Sequence, residues 1–255
     1  MCWSGEASAA LATAGFVTTA LAARRGDSPL LWSALGYFTL MEALQAYTYS
    51  VIDNCGSPAN QVATLLGYLH ITFQPFFVNA VGLYFIPKRV AQKIAPIVYT
   101  CCFAAAIMML VKLYPFPWAA QCTPGIRPMC GPKICAYHGN WHIAWAVPVS
   151  DISDKISWYF VVAFLLPLLY GSWKWTLYHL ITGPGLARLT TTNLNEWPAV
   201  WCLFSIDLLI IITNTRVRHW LHVERWWWWR LGEKSKAPEQ KLEPEPEQKL
   251  VEVVS

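Results

Sequence analysis

The chain has 255 residues, of which 55% are hydrophobic and only 13% charged. Soluble domains carry charge on roughly a quarter of their residues, so this composition excludes an ordinary soluble globule. The net charge of +4 hides an uneven distribution: residues 233–255 hold six Glu and four Lys, which leaves +6 on the rest. In so apolar a chain that excess is a topology signal and not a nucleic-acid footprint, and no nucleic-acid partner is expected.

Several apolar runs reach about 20 residues, the length that crosses a hydrocarbon core of about 30 Å. Met1 to Glu6 lacks a basic n-region, so no cleavable signal peptide is expected. A short Ala-rich run covers 8–23 and ends at Arg24-Arg25-Gly26-Asp27. The second run covers about 29–51, a polar turn follows at Asp53–Pro58, and the third covers about 61–86. After the basic loop Pro87–Lys93 the fourth runs over about 94–114. A long loop, 115–154, carries Cys122, Cys130, Cys135 and the cluster His138-Gly139-Asn140-Trp141-His142. The fifth run begins near Ile156 and a last clear one covers Pro198–Thr213.

Six spans are therefore clear, and the basic loops orient them. Arg24 and Arg25 follow the first span and Lys88, Arg89 and Lys93 the third, which puts both loops on one side. Arg216, Arg218, Arg225 and Arg230 belong there too only if the number of spans is odd. The missing span is Trp173–Thr191, interrupted by Gly183-Pro184-Gly185; the rival is one long tilted fifth helix through to about Thr182. The expectation is an all-α, polytopic integral membrane helix bundle of about seven transmembrane helices, N-terminus out and C-terminus in, over residues 1–214. Its place would be the inner (plasma) membrane, with the Cys-rich loop in the periplasm or extracellular space and the lipid bilayer as its surroundings. Fifteen tryptophans suit interface belts better than a core. Residues 215–231, with Trp226–Trp229, read as an interfacial helix at headgroup level. Residues 232–255, rich in Pro, Glu and Lys, bury too little apolar surface to order.

Topology sorts the eight cysteines. Cys101, Cys102 and Cys202 lie in spans, where a thiol is usually a small hydrophobe. Cys55, Cys122, Cys130 and Cys135 fall in outer loops and read as two disulfides, with three pairings open and a zinc site as the rival. Removal of Met1 would make Cys2 the N-terminal residue, whose thiolate and amine chelate a metal or act as a nucleophile. The plainer reading makes Trp3 a headgroup anchor and Ser4 a helix cap.

Ionisable groups inside spans are costly and mark function or helix-to-helix glue. Glu42 lies nine residues before Val51 and His70 nine after Gln61, so each sits roughly 14 Å below the same end of adjacent arms. Gln45 and Gln74, at spacings of three and four, extend each polar face. Pro75 should kink the third helix just beyond His70. Asp207 reads as a further buried carboxylate. His138 and His142, four apart, are ligands over the bundle or solvated loop histidines; helical chelation is only one way they would act. Glu196, with Asn193 and Asn195, reads as a helix cap. No Walker loop, dinucleotide fingerprint, nucleophile elbow or His-Glu-x-x-His motif is present. His179 leaves a haem opposite His70 open but unsupported.

Met1-Cys2-Trp3-Ser4-Gly5-Glu6 resembles the opening of a family of uncharacterised bacterial polytopic membrane proteins. The likeness extends over about residues 1–214. It takes in Phe38–Gln45, His70–Phe77, Trp141-His142-Ile143-Ala144-Trp145 and Trp201–Ile206. It implies one integrated membrane domain, brings no activity, and leaves out the Trp run and the tail.

The leading expectation is a membrane-embedded metal-dependent enzyme, a hydrolase or oxidoreductase, whose site opens outward. Glu42, His70 and Cys2 would do the chemistry. Glu42, His70, His138, His142 and Cys2 would hold a divalent transition metal: zinc, copper or iron. The alternatives are an accessory or assembly subunit that meets a membrane-protein partner through its C-terminal segment, and a transporter of a small solute or protons.

Overall fold

The structure, a computed structural model, describes residues 3–152 and 157–229; Cys2 and the tail from residue 230 lie outside the described residues. The described chain is mostly helical. Helix α1, Gly5–Arg24, starts at Ser4, whose hydroxyl accepts from the Ala7 amide at 3.3 Å, and carries Glu6 in its first turn. Both features satisfy the positive, unpaired N–H end of a helix. Helices α2, Pro29–Val51, and α3, Pro58–Tyr84, each begin with proline at the first position, where its missing N–H costs nothing. Helix α4 covers Lys88–Val111.

After a two-stranded hairpin comes α5, Trp158–Leu169, which holds a π-helical turn at Val161–Leu165. Gly171, at φ 102°, then breaks the chain, so the rival long fifth helix is not formed. Helix α6, Trp173–Leu180, passes through a second π turn, Ile181–Gly185, into α7, Leu186–Thr190. Gly183-Pro184-Gly185 is thus a bulge inside a helical run and not an interruption. Helix α8, Trp197–Asn214, follows. Helix α9, Val217–Leu221, is the only helical part of 215–231 among the described residues, where a longer interfacial helix was expected. Residues up to Glu224 form one unit and those from Arg225 another, in which Trp229 N donates to Trp226 O at 3.3 Å.

Three helices, α1, α4 and α8, are long and apolar enough to cross a membrane by length and composition. Helices α2 and α3 are as long, but buried polar residues such as Glu42, Gln45, Asn60, Gln74 and Asn79 lower their mean hydropathy. Inside α3, Pro75 lacks the N–H that would bond Ile71 O, and Asn79, one turn on, ties the bend to its surroundings: its Nδ2 donates to Pro75 O at 2.9 Å and to Val162 O at 3.0 Å. The second of these bonds ties α3 to the π turn of α5.

The all-α expectation is corrected in the long loop. Strands β1, Cys135–His138, and β2, Ile143–Ala146, pair antiparallel with Cys135 opposite Ala146 and His138 opposite Ile143. Four residues of a strand pair hold little by themselves, so the hairpin is pinned from outside. Asn60 of α3 does most of this: Nδ2 donates to Val51 O and Ala136 O, and Oδ1 accepts from Ala136 N at 3.0 Å. The four loop cysteines form two disulfides, Cys55–Cys135 and Cys122–Cys130, which decides among the open pairings and against zinc. Cys101, Cys102 and Cys202 are free thiols in helices.

Two apolar clusters fill the bundle. One, around Leu35, Phe38, Val81, Phe164 and Ile206, lies towards the loops Arg24–Asp27 and Pro87. The other, around Met41, Tyr68, Ile143, Trp145 and Cys202, lies under the hairpin. Trp145 is fully buried and packs on Gly67, where an added Cβ would come within 3.3 Å of the indole.

Candidate functional site

A buried polar region lies between the hairpin and helices α1, α2 and α8. On α2, Glu42, Gln45 and Tyr49 are spaced by three and four residues and so share one face. Glu42 is 0% exposed, and neither of its oxygens accepts a hydrogen bond among the described residues. The Ser8 hydroxyl of α1 stands beside it. That hydroxyl accepts from the Trp3 indole at 2.8 Å. Gln45 donates to Ala199 O of α8 at 3.5 Å, while its Oε1 has no partner.

Tyr49 joins this stripe to the hairpin. Its hydroxyl lies 2.6 Å from His142 Nδ1, and the two rings stack at 5.8 Å. Trp3 closes the other side of the imidazole, 6.0 Å away, and is pinned there by its own N–H donating to Trp141 O at 3.3 Å. Burial pushes His142 down to about 3, which keeps it neutral at ordinary pH. In the tautomer that donates from Nδ1 to Tyr49, Nε2 presents a lone pair; in the other, Tyr49 donates and Nε2 carries the proton, and in both Nε2 has no partner among the described residues.

Glu196 sets this geometry in an unforeseen way. The sequence points to a helix cap, yet its side chain makes no cap bond to α8. Instead Oε1 accepts from the backbone N–H groups of Trp141 and His142, and Oε2 accepts from Thr191 Oγ1 at 2.6 Å. The turn must come very close for this: a Cβ on Gly139 would sit 2.4 Å from Glu196 Cδ. The carboxylate thereby clamps the hairpin turn onto the bundle.

The structure brings together only some of the expected ligands. Glu42 and His142 border the same polar region. His70 does not: it stacks on Tyr37 at 3.9 Å, Tyr37 stacks on Phe77 at 3.7 Å, and the Tyr37 hydroxyl donates to His70 O at 2.6 Å. Tyr37 and Leu40 line an apolar groove together with His70, and at 100° per residue they lie roughly 140° and 200° around α2 from Glu42. Glu42 and His70 therefore do not share a face. His138 is exposed and bonds Asp53 through its backbone N–H, at 2.8 Å, and through its ring. Burial alone would raise the Asp53 carboxyl, but the bonds and charge of His138 outweigh that and lower it. Opposite ends of a strand turn, not one helical face, carry His138 and His142. Asp207 is exposed on α8 and not buried. His179 is packed between Trp175 and Phe164 and accepts from Trp201 Nε1 at 3.1 Å. Among the described residues no three His, Cys, Asp or Glu side chains gather as a metal-holding group. Glu42 and His142 offer two orphaned donors; Cys2, expected as another, lies outside the described residues and is one peptide bond from Trp3.

Sequence reasoning missed Tyr49, Ser8, Asn60 and the clamp by Glu196. Only the first carried a usable signal, its i+7 spacing from Glu42.

The described residues thus define a mostly helical protein with three helices fit to cross a membrane and a disulfide-tied hairpin against one end of the bundle. The chain matches, over residues 6–222, a family of unknown function, DUF5765, and belongs to that family. No curated protein and no solved structure matches it.

Proposed function

We propose that the chain is an integral membrane protein of seven spans, N-terminus out, whose region around Glu42, Tyr49 and His142 is a metal-dependent catalytic site open to the outer side. Several observations support the topology. The α6–α7 run starts beside Trp220 and His222, whose carbonyls accept from Lys174 Nζ at 2.8 and 3.0 Å, and ends where Thr191 meets Glu196. These end points support reading it as the missing seventh span, with Arg24, Arg25, Lys88, Arg89, Lys174 and Arg216 at the end opposite the hairpin. Apolar side chains point outward along α4, with Ile97 66% and Phe103 58% exposed, as lipid-facing residues would be.

The single observation that carries the site is the under-satisfied pair, the Glu42 carboxyl and His142 Nε2, each of which interacts with Tyr49 or lies close to it. A fully buried carboxyl with no donor near it but the Ser8 hydroxyl is held by a proton or a cation, and the imidazole of His142, reached through Tyr49, is a ligand type that suits a borderline metal. Cys2 thiolate is the proposed third donor. A metal bound there would supply Lewis-acid or redox chemistry. This chain's residues would orient His142 through Tyr49, and Ser8 and Tyr49 would hold or pass a proton next to Glu42. Cobalt titration of the purified protein tests the donor set. A thiolate-to-cobalt charge-transfer band that vanishes in Cys2→Ser supports it; wild type without any d–d band contradicts it.

One observation favours the subunit reading as a second. Asp207 is an exposed carboxylate midway along α8, and a charge facing lipid at that depth is costly unless a neighbouring helix covers it. Co-purification of a membrane partner that is lost in Asp207→Leu would support that reading, and a monodisperse wild-type chain without partner would contradict it.

A further inference from the structure

A cavity of about 340 Å³, which neither Glu42 nor His142 lines, lies between α3, α4, α5, α7 and α8. Its walls include Tyr68, Ile71, Met109, Trp158, Ala187 and Trp201. Packed interiors hold few voids larger than a water molecule, so a space of this size is a place for something else. Thioether side chains such as Met109 adapt to a flexible occupant. The polar pair at its deep end, Gln74 and Tyr159, is already satisfied: Tyr159 donates to Gln74 Oε1 at 2.5 Å, and Gln74 donates to Cys202 Sγ at 3.6 Å. The deep end therefore asks for hydrocarbon.

The mouth has a different character. Lys112, at the end of α4, and Arg127 both line it, and Arg127 also holds Asp151 at 3.3 Å. The mouth is fixed in place because Ser150 donates its N–H and hydroxyl to Lys112 O at 2.8 and 3.1 Å. Gln74 lies 16 residues along α3 from Pro58, roughly 24 Å from the hairpin end. The cavity thus runs from cationic side chains at that end to an apolar floor near the middle of the bundle.

We infer that this cavity takes one acyl chain of an anionic membrane lipid, with the headgroup at Lys112 and Arg127. The inference rests on the membrane reading above but not on the metal site. Cations at the headgroup level select acidic lipids over zwitterionic ones, and the apolar shaft sets the chain's position.

Full-length protein is reconstituted in nanodiscs of phosphatidylcholine with ten mole per cent phosphatidylglycerol, and lipid retained after detergent stripping is counted by native mass spectrometry. Wild type should keep one phosphatidylglycerol per chain. Lys112→Gln with Arg127→Gln should keep its melting temperature and lose the preference at least fivefold, and Ala187→Leu, which fills the shaft, should retain no lipid. Retention in Ala187→Leu equal to wild type, or a preference unchanged in the double variant, overturns the inference. Alkaline carbonate extraction of membranes separates its failure from that of the membrane reading: release of wild type to the supernatant refutes the latter, while a membrane-bound wild type that retains no lipid refutes the lipid site alone.

Discussion

Glu196 illustrates how one side chain decides where the His142 imidazole stands. Its carboxylate takes two backbone N–H groups of the hairpin turn and one hydroxyl, all buried or half-buried. Removing an acceptor from buried donors costs about 1–3 kcal/mol per group, more when the acceptor is charged. Glu196→Ala should therefore lower stability by about 3 kcal/mol, and Glu196→Gln by less, because one carbonyl oxygen survives. Thermal unfolding in detergent checks both, and a neutral Glu196→Ala would refute the clamp. Asp53 is a gentler case. Its carboxyl is lowered by His138, so its contribution is present above the unfolded carboxylate value of about 3.9 and fades as pH falls through the folded value. Both partners are exposed, so solvent screening keeps the effect below about 1 kcal/mol. Asp53→Asn should thus melt slightly earlier than wild type at pH 7 and together with it near pH 2.

Among the elements, the helices were largely legible because their signals are local. Pro29 and Pro58 start α2 and α3, Ser4 and Ser57 cap helices, and Arg24-Arg25 ends α1. The hairpin was hidden because its bonds are distant: Asn60 and Asp53 reach residues 76 and 85 positions away. Helix rise led to the expectation that Glu42 and His70 share a depth, but nothing local sets the rotation of α2 against α3. Aromatic packing of Tyr37 and Phe77 on His70 settled that rotation and sent Glu42 towards α1. Disulfides tie these distant contacts down, and loop length ranks them. Cys55–Cys135 closes 80 residues and Cys122–Cys130 only 8, so chain entropy assigns about 4.5 and about 2.5 kcal/mol respectively. Cys55→Ser with Cys135→Ser should lose more stability than the other double variant, measured by denaturation without reductant; the reverse order would contradict the role given to the hairpin.

For the whole molecule, the bundle and hairpin together bring Trp3 from one end of the chain, His142 from its middle and Glu196 from near its end to a single polar region beside Glu42. Neither half of that assembly is visible in one stretch of sequence, since each residue alone reads as an anchor, a loop histidine, a cap or a glue residue. The central claim is that Glu42 and His142 serve one metal while His70 and His138 serve packing. Elemental analysis of protein purified from membranes without chelator measures this most directly, with Glu42→Gln, His142→Ala, His70→Ala and His138→Ala beside wild type. About one equivalent of transition metal is expected in wild type, His70→Ala and His138→Ala, and its loss in Glu42→Gln and His142→Ala. A wild type without metal, or a loss that follows His70 in place of His142, would contradict it.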